Sequence, residues 1–393
     1  MENLEILLVL MVVIWVAGKV FRALKLPVIF GELLGGIIVG PMVLNLVPAD
    51  SEVVHILAEL GIFFLMFHSG LETDPNELLR ASKKSTLIAI AGVVFPFIGG
   101  YWVSRYFGQS FEQSLFIAMG LSITAIAISI RLFKDYKIQK SRVAHITVGA
   151  AIIDDILALI LFSMVLSIIE SGAVQFADLA WLILKVVVFF GVVIAVGYKT
   201  SNYLQKVLRR KGFTFALITA LTLGLIAEAI GLHIIIGAFL AGLFIRQEVL
   251  ETQTFNKIED RIYGLSYSFL GPIFFASLAF YLDFTALTSA PWFLLAIIVV
   301  AVLGKVIGSG LAAYLQKINF RESLAIGLAM NSRGAIELII ASIGIKEGII
   351  DTNVFSILVM MAFATTIISI FSIKPLAKQI RSDMLAANLT PKK

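Results

Sequence analysis

The stretch AAIIDDILALILFSMVL, residues 150–166, places two adjacent carboxylates inside an otherwise apolar run. Isoleucines stand on both sides of Asp154 and Asp155, and leucines follow as far as Leu166. A charged side chain at the centre of a bilayer costs about 2.5–3.5 kcal/mol on insertion scales, so an intramembrane carboxylate is a functional hypothesis by default. Whether this run crosses a membrane therefore decides both the fold class and the candidate site.

The composition predicts that it does. The chain has 393 residues, of which 59% are hydrophobic and 15% are charged, whereas soluble domains carry about 25% charged residues. Apolar runs of about 20 residues, each long enough to cross a hydrocarbon core of about 30 Å, recur along the whole chain. A large soluble protein would need a polar outer layer that this composition cannot supply. We therefore predict an all-α polytopic membrane protein.

About thirteen transmembrane helices are predicted between the charged and turn-forming breaks. Glu2 and Glu5 stand where a cleaved signal peptide carries basic residues, so the first helix is expected to be retained. The break at 228–233 is the weakest boundary. The predicted spans lie near 3–23, 28–46, 52–71, 84–107, 111–131, 142–170, 178–205, 213–230, 232–246, 257–281, 287–316, 321–345 and 353–380.

The distribution of basic residues predicts the orientation. The loops that follow the odd-numbered spans, with the span ends beside them and the C-terminal end, hold 26 of the chain's 31 Lys and Arg residues. By the positive-inside rule, the N-terminus is outside and the C-terminus is in the cytoplasm. The formal charge of +5 is then topological and does not indicate a nucleic-acid surface. No GxGxxG or GxxxxGK[ST] motif occurs, which excludes a nucleotide-binding domain of these types, and the absence of cysteine excludes thiolate metal sites.

The two aspartates lie near the bilayer centre, about 20 Å along the sixth span at 1.5 Å per residue. Neighbouring side chains on a helix project about 100° apart, so one carboxylate can face a water-filled cavity while the other meets a partner. Lys305, in the eleventh span VVAVLGKVIGSG, is a candidate partner, and the glycines around it allow close helix approach. A purely structural ion pair is the alternative, although a single pair would need only one aspartate. Lys185, in the seventh span, is expected to have a structural role.

Two further spans are rich in glycine and polar residues. The fifth reads FIAMGLSITAIAISIRLF over 116–133, and the twelfth reads AIGLAMNSRGAIELII over 325–340. Such interruptions favour discontinuous helices that cross near a central ion site. Small polar side chains also make ordinary helix-packing contacts, and for Ser122 and Ser129 both interpretations stay open.

A weak internal repeat relates the same two spans, with SLFIAMGL at 114–121 and SLAIGLAM at 323–330. The spans are seven apart, so equivalent segments cross in opposite directions. We predict one membrane transporter domain over 1–393 with inverted six-helix repeats. The repeats cover about 3–170 and 213–380, a linking helix covers about 178–205, and a short tail covers 381–393.

Four motifs give the chain a family resemblance. They are LPVIFGELLGGIIVGP at 26–41, ELGIFFLMFHSGLETD at 59–74, IIDDILALI at 152–160 and MNSRGAIEL at 330–338. Together they resemble the monovalent cation:proton antiporters of the second CPA group, close to NapA-type sodium/proton antiporters with the NhaA-like fold. The resemblance implies a homodimer in a prokaryotic inner membrane, with a mobile core domain and a dimerisation domain.

The same resemblance assigns site residues. Asp155 matches the ion-binding aspartate, Asp154 matches the neighbour that pairs with the lysine at Lys305, and both aspartates would hold the transported cation. Thr124 falls at the unwound crossing of the first half. Some relatives read RGE where this chain reads RGAIE, which suits a branch of sodium or potassium exchangers. The supporting residues are Glu337, Arg333, Asn331 and Ser129.

The expected function is electrogenic exchange of cytoplasmic sodium or lithium for external protons by alternating access, with no cofactor. A potassium/proton antiporter of the same fold is the alternative within the family. A passive cation channel is the alternative from another class, but it would not need a titratable Asp-Asp-Lys cluster. An intramembrane aspartyl protease is disfavoured, because adjacent residues on one helix cannot converge on one peptide from opposite sides.

Overall fold

The computed structural model describes residues 3–73, 82–125, 129–130, 133–134, 136–139, 141–171, 176–248 and 252–389, and these residues are helical almost throughout. A π-helical turn lies at Ser266–Leu270 and a 3-10 turn at Leu278–Tyr281. In chain order the helices are α1 (Asn3–Ala23), α2 (Val28–Val39), α3 (Glu52–Glu72), α4 (Lys83–Tyr106), α5 (Phe111–Gly120), α6 (Arg142–Ser171), α7 (Phe176–Ala229), α8 (Ile234–Glu248), α9 (Thr252–Leu265), α10 (Gly271–Ser277), α11 (Ala286–Ser289), α12 (Pro291–Leu315), α13 (Phe320–Ala329), α14 (Ala335–Lys346) and α15 (Thr352–Leu389).

Eight helical stretches in the described residues are long and apolar enough to cross a membrane. Shorter apolar helices lie at Val28–Val39, Ile183–Val193 and Ile234–Arg246. The polytopic all-helical class is therefore confirmed, whereas the number thirteen stays a prediction. The eight stretches are Asn3–Ala23, Glu52–Glu72, Lys83–Tyr106, Arg142–Ile169, Gly212–Ala229, Gln253–Tyr281, Pro291–Leu315 and Thr352–Ser382.

The 54-residue helix α7 covers the predicted seventh and eighth spans without the expected loop between them. The segment QKVLRRK, residues 205–211, contains mostly good helix formers and no proline, which favours helical conformation there. Nevertheless, Lys185 Nζ donates to Ile230 O at 3.0 Å across 45 residues, which a straight helix would separate by about 68 Å. The chain therefore reverses direction between Lys185 and Ile230, and the two predicted spans lie in separate parts of α7.

Two compact units make up the chain. The first contains Met1–Asn76 and Leu166–Tyr281. In this unit α3 packs against α8 and α10. A Cβ atom added at Gly70 would lie 3.0 Å from the Cα of Gly242, so the absence of side chains there allows α3 and α8 to approach closely.

The second unit contains Glu77–Val165 and Leu282–Lys393, and it holds every predicted site residue. In this unit α4 packs against α12. A Cβ atom on Gly304 would lie 2.7 Å from the Cα of Pro96, so only glycine allows this approach. Lys305, the next residue, is consequently enclosed and has 0% exposure.

Candidate functional site

A buried ion pair joins α6 to α12 within the second unit. Lys305 Nζ donates to Asp154 Oδ1 at 2.9 Å, and neither side chain has exposed surface. Two opposite charges taken out of water need each other, because either one alone would be an uncompensated buried charge. The sequence suggested this pairing from the mid-span position of both residues, and the structure brings them into contact.

Asp155 follows directly on α6 and has different surroundings. Its exposure is 6%, against 0% for Asp154. Because successive residues on a helix project about 100° apart, the Asp155 side chain leaves the helix in another direction from the carboxylate that Lys305 binds. Two chemically identical side chains therefore occupy distinct environments, as a division of roles would require.

The two polar spans are interrupted where the sequence predicted. Helix α5 begins with a capping box made by Ser110 and Gln113 and ends at Gly120. Helix α13 begins at the Asn319 cap, whose Oδ1 accepts from Glu322 N at 2.8 Å, and it ends at Ala329. Residues 123–125 and 332–334 then run without helical structure before α14 begins at Ala335, while residues 126–128 lie outside the described part.

Hydrogen bonds join the two unwound segments directly. Thr124 Oγ1 donates to Met330 O at 3.0 Å, and Ala125 N donates to Ser332 O at 2.8 Å. Ser332 Oγ donates in turn to Ala125 O at 2.9 Å. Ser129 Oγ donates to Ala329 O and lies 2.9 Å from Ser332 Oγ, so its hydroxyl contributes to the contact with the second segment. These hydrogen bonds hold the two unwound segments against each other, and we call this contact the crossing.

Arg333 occupies the carbonyl end of α5. Its guanidinium donates through Nη1 to Gly120 O and Ile123 O, both at 2.8 Å, and through Nη2 to Leu121 O. The last carbonyls of a helix lack partners within that helix and carry its partial negative charge. The Arg333 side chain therefore satisfies carbonyls of the kind that discontinuous helices otherwise offer to a cation.

Glu337 faces the other side of Arg333. Its Oε2 lies 3.8 Å from Arg333 Nε, one helical turn away, and both side chains are buried. Within the described residues, neither Glu337 oxygen accepts a hydrogen bond. The carboxylate thus contacts Arg333 and balances its charge, an arrangement that suits a supporting role.

Helix α15 contributes residues that the sequence did not single out. Thr366 Oγ1 accepts from Arg333 N and donates to Arg333 O, each at 3.0 Å. Asn331 Nδ2 donates to Ser369 Oγ at 3.0 Å. The segment AFATTIISIFS, residues 362–372, gives little signal of this, because Ser and Thr in an apolar helix most often bond their own helix backbone.

The structure thus gathers the predicted residues into two groups. Asp154 and Lys305 form the first, with Asp155 beside them; Thr124, Ser129, Asn331, Arg333 and Glu337 form the second. Electrostatic interactions link the groups, since Lys305 interacts with Asp155 and Glu337, and Arg333 interacts with Asp154. A nearly enclosed carboxylate within such a network can exchange a proton for another cation, because isolated charge in an apolar interior is costly.

Comparison with known proteins supports the same chemistry. The family profile described as "Sodium/hydrogen exchanger, transmembrane" matches residues 6–379. The probable Na(+)/H(+) antiporter GerT of Bacillus cereus is 33% identical over 359 residues, covering 90% of this chain and 94% of the relative. The Na(+)/H(+) antiporter of Enterococcus hirae is 28% identical over 388 residues, covering 98% and 100%.

A solved structure has the same fold. The sodium proton antiporter MjNhaP1 from Methanocaldococcus jannaschii aligns with a TM-score of 0.73 at 20% sequence identity. The alignment covers 97% of this chain and 98% of that one. The likeness therefore extends over both units and is a likeness of fold.

Proposed function

Because the chain belongs to the sodium/hydrogen exchanger family, we propose that it exchanges cytoplasmic sodium or lithium for external protons at Asp155. Family membership makes the protein a membrane-embedded monovalent cation:proton antiporter, and therefore a transporter rather than an enzyme. The transported ions are its substrates, and no cofactor takes part. The identity of the cation, the residues that bind it and the stoichiometry belong to the proposal.

The carrying observation is the pair of unlike aspartates on α6. Asp154 is bound to Lys305 at 2.9 Å in a fully enclosed position, whereas Asp155 is slightly exposed. A carboxylate that is shielded from bulk water is unfavourable as a lone charge. Asp155 therefore holds either a proton or a partly dehydrated cation, and competition between the two couples their fluxes.

Thr124 is a suitable second ligand. Its hydroxyl donates its hydrogen to Met330 O at 3.0 Å, so only oxygen lone pairs remain for any further contact. Arg333 already occupies the carbonyls of Gly120, Leu121 and Ile123. We therefore assign cation binding to Asp155 with Asp154 and Thr124, and a supporting role to Arg333, Glu337, Asn331 and Ser129.

Electrogenic exchange follows if sodium displaces Lys305 from Asp154. Sodium would displace one proton from Asp155, and breaking the ion pair would release a second proton from Lys305. Two protons would therefore return for each sodium. Voltage is the direct test: in proteoliposomes, sodium-driven proton flux should change when a potassium diffusion potential is imposed. Flux that is insensitive to the potential would contradict the two-proton proposal while leaving exchange itself intact.

The transport cycle is proposed to use alternating access. All candidate site residues lie in the second unit, which fits the core domain implied by the resemblance, and each unit draws on both predicted repeats. The proposal includes thirteen spans in inverted repeats, a homodimer, an external N-terminus and a cytoplasmic C-terminus in an inner membrane.

Potassium is the competing substrate. One relative, the Na(+)/H(+)-K(+) antiporter GerN of Bacillus cereus, is 33% identical over 358 residues, covering 90% of each chain. A panel of lithium, sodium, potassium and rubidium in a proton-flux assay separates the two possibilities. If the cation concentration that gives half-maximal flux is lowest for potassium or rubidium, potassium replaces sodium in the proposal.

Replacing the acid tests the assigned role. Asp155→Asn keeps the shape of the side chain but cannot carry a negative charge, so cation-driven proton flux in proteoliposomes should fall to background. Ser163→Ala, on the same helix, removes only a hydroxyl that donates to Leu159 O and is the matched control. Exchange retained by Asp155→Asn would remove Asp155 from the mechanism. Wild-type protein that passes sodium but cannot drive it uphill with a pH gradient would instead be a passive channel.

A further inference from the structure

We propose that Thr366 is a positioning residue for the ion site, acting through residues 330–334, which include the unwound segment 332–334. The inference rests on the proposed function, because it concerns the geometry of that same site. Thr366 lies on α15 and has 0% exposure. One hydroxyl serves both main-chain groups of Arg333, accepting from its N–H and donating to its carbonyl, each at 3.0 Å.

This pair of bonds replaces what the helix no longer provides. Residues 332–334 are non-helical, so their main-chain groups have lost regular helical partners. A buried main-chain donor or acceptor without a partner is costly, and most such groups in folded proteins are paired. Thr366 pairs the donor and the acceptor of Arg333 at once and fixes both the position and the direction of its main chain.

A second contact from the same helix face strengthens the anchor. Asn331 Nδ2 donates to Ser369 Oγ at 3.0 Å and to Thr365 O at 3.4 Å. Thr366 and Ser369 are three residues apart and therefore lie on the same side of α15. The unwound segment is thus held against this helix at two residues.

The anchor reaches the ion site through Arg333. Its guanidinium binds three carbonyls at the end of α5, and the chain continues from there to Thr124. A shift of the Arg333 main chain would move these carbonyls and with them the Thr124 hydroxyl. Thr366 is therefore expected to influence cation affinity without contacting the cation.

Its neighbour gives a matched comparison. Thr365 Oγ1 donates to Met361 O at 2.8 Å and lies 3.2 Å from Ala362 O. Both are carbonyls of the same helix, which is the usual arrangement for threonine in an apolar helix. Both side chains are fully buried on α15. Of these two hydroxyls, that of Thr366 bonds to the main chain of Arg333, whereas that of Thr365 bonds to carbonyls of α15.

The test compares Thr366→Val, Thr366→Ser and Thr365→Val with wild type in proteoliposomes, measuring sodium-driven proton flux over a range of sodium concentrations. Thr366→Val should raise the sodium concentration for half-maximal flux about tenfold, as the loss of a buried hydrogen-bonding group would, while the maximal rate changes little. Thr366→Ser retains the hydroxyl and should restore the wild-type value. Thr365→Val should behave as wild type, since valine keeps the Thr365 carbonyl that accepts from Asn331.

The outcomes separate the inference from the proposed function. If wild type exchanges sodium for protons but Thr366→Val has the same sodium dependence as wild type, the positioning role is overturned and the function stands. Equal changes in Thr366→Val and Thr365→Val would overturn it in the same way. Absence of exchange in wild type with any alkali cation would overturn both. If Thr366→Val does not fold, Ser369→Ala takes its place and should shift the sodium dependence in the same direction; an unchanged value there overturns the inference.

Discussion

At the scale of single residues, the ion pair between Asp154 and Lys305 is the feature with the clearest energetic consequence. Both side chains are completely buried and lie 2.9 Å apart. Removing one partner of such a pair leaves a charge that neither water nor protein compensates, which typically costs 3–5 kcal/mol, whereas replacing both partners is often nearly neutral.

We therefore predict a strongly non-additive mutant series. Asp154→Asn and Lys305→Met should each lower the thermal unfolding midpoint of the purified protein in detergent, because each leaves one buried charge. The double variant Asp154→Asn/Lys305→Met removes both charges and should be more stable than either single variant. A double variant that loses as much as the two single variants combined would show that the pair is not the stabilising unit.

Residue identity predicted some of this site and not the rest. Charged residues in apolar spans are conspicuous, and Asp154, Asp155 and Lys305 were identified in that way, whereas Arg333 was identified from the polar twelfth span and the family resemblance. The bonding of Arg333 to three carbonyls of α5 was not foreseen, since a sequence does not show which half-helix end a side chain reaches. Thr366 was missed because a buried threonine that bonds to its own helix and one that bonds across look alike in sequence.

At the scale of helices, close approach between α4 and α12 determines where Lys305 lies. A Cβ atom on Gly304 would come within 2.7 Å of Pro96 Cα and 3.0 Å of Pro96 N, which are backbone atoms that cannot move aside cheaply. Glycine is therefore required here by packing between helices rather than by backbone conformation.

Gly304→Ala should consequently destabilise the protein, although alanine normally favours a helix over glycine by about 1 kcal/mol. The matched control is Gly264→Ala in α9, where an added Cβ meets no atom within 4 Å and stability should rise slightly. Thermal unfolding of both variants in detergent provides the measurement. Equal or greater stability of Gly304→Ala relative to wild type would contradict the packing described for α4 and α12.

Helix boundaries were predicted unevenly, for physical reasons. Interruptions in the fifth and twelfth spans were foreseen from glycine and polar residues without any proline, whereas their positions after Gly120 and Ala329 come from the structure. A loop was expected between the seventh and eighth spans, but the residues there are helical, and the basic segment 205–211 contains mostly good helix formers. Apolar periodicity shows where a span lies; whether the chain turns by a loop or by a bent helix depends on contacts such as that from Lys185 to Ile230.

At the scale of the whole molecule, competition between proton and cation predicts the pH dependence of transport. If both occupy Asp155 in turn, protons raise the apparent half-saturating sodium concentration without changing the maximal rate. On the acid side this concentration should rise about tenfold per pH unit for each proton that sodium displaces, and so about a hundredfold per pH unit if two protons are displaced, as linkage between exclusive ligands requires. Initial rates in proteoliposomes with equal pH on both sides test this; a half-saturating concentration that is independent of pH would contradict exclusive binding.

Orientation can be tested directly because the chain contains no cysteine. Arg105 and Arg321 are exposed and lie in the last turn of α4 and the first turn of α13, at helix ends predicted to face opposite sides of the membrane. With a membrane-impermeant maleimide on intact cells, Arg105→Cys should be labelled, whereas Arg321→Cys should be labelled only after permeabilisation. The reverse pattern would invert the predicted topology, and labelling of both in intact cells would contradict the span assignment.

The guanidinium held at the end of α5 has a consequence for how the protein responds to membrane voltage. Arginine keeps its proton at any physiological pH, so the crossing contains a permanently tethered cation with the same charge in every state of the cycle. Changes in net charge during transport then arise only where ions or protons come and go. A current–voltage relation would therefore report the cations and protons exchanged at the aspartates and at Lys305, because Arg333 neither gains nor loses charge.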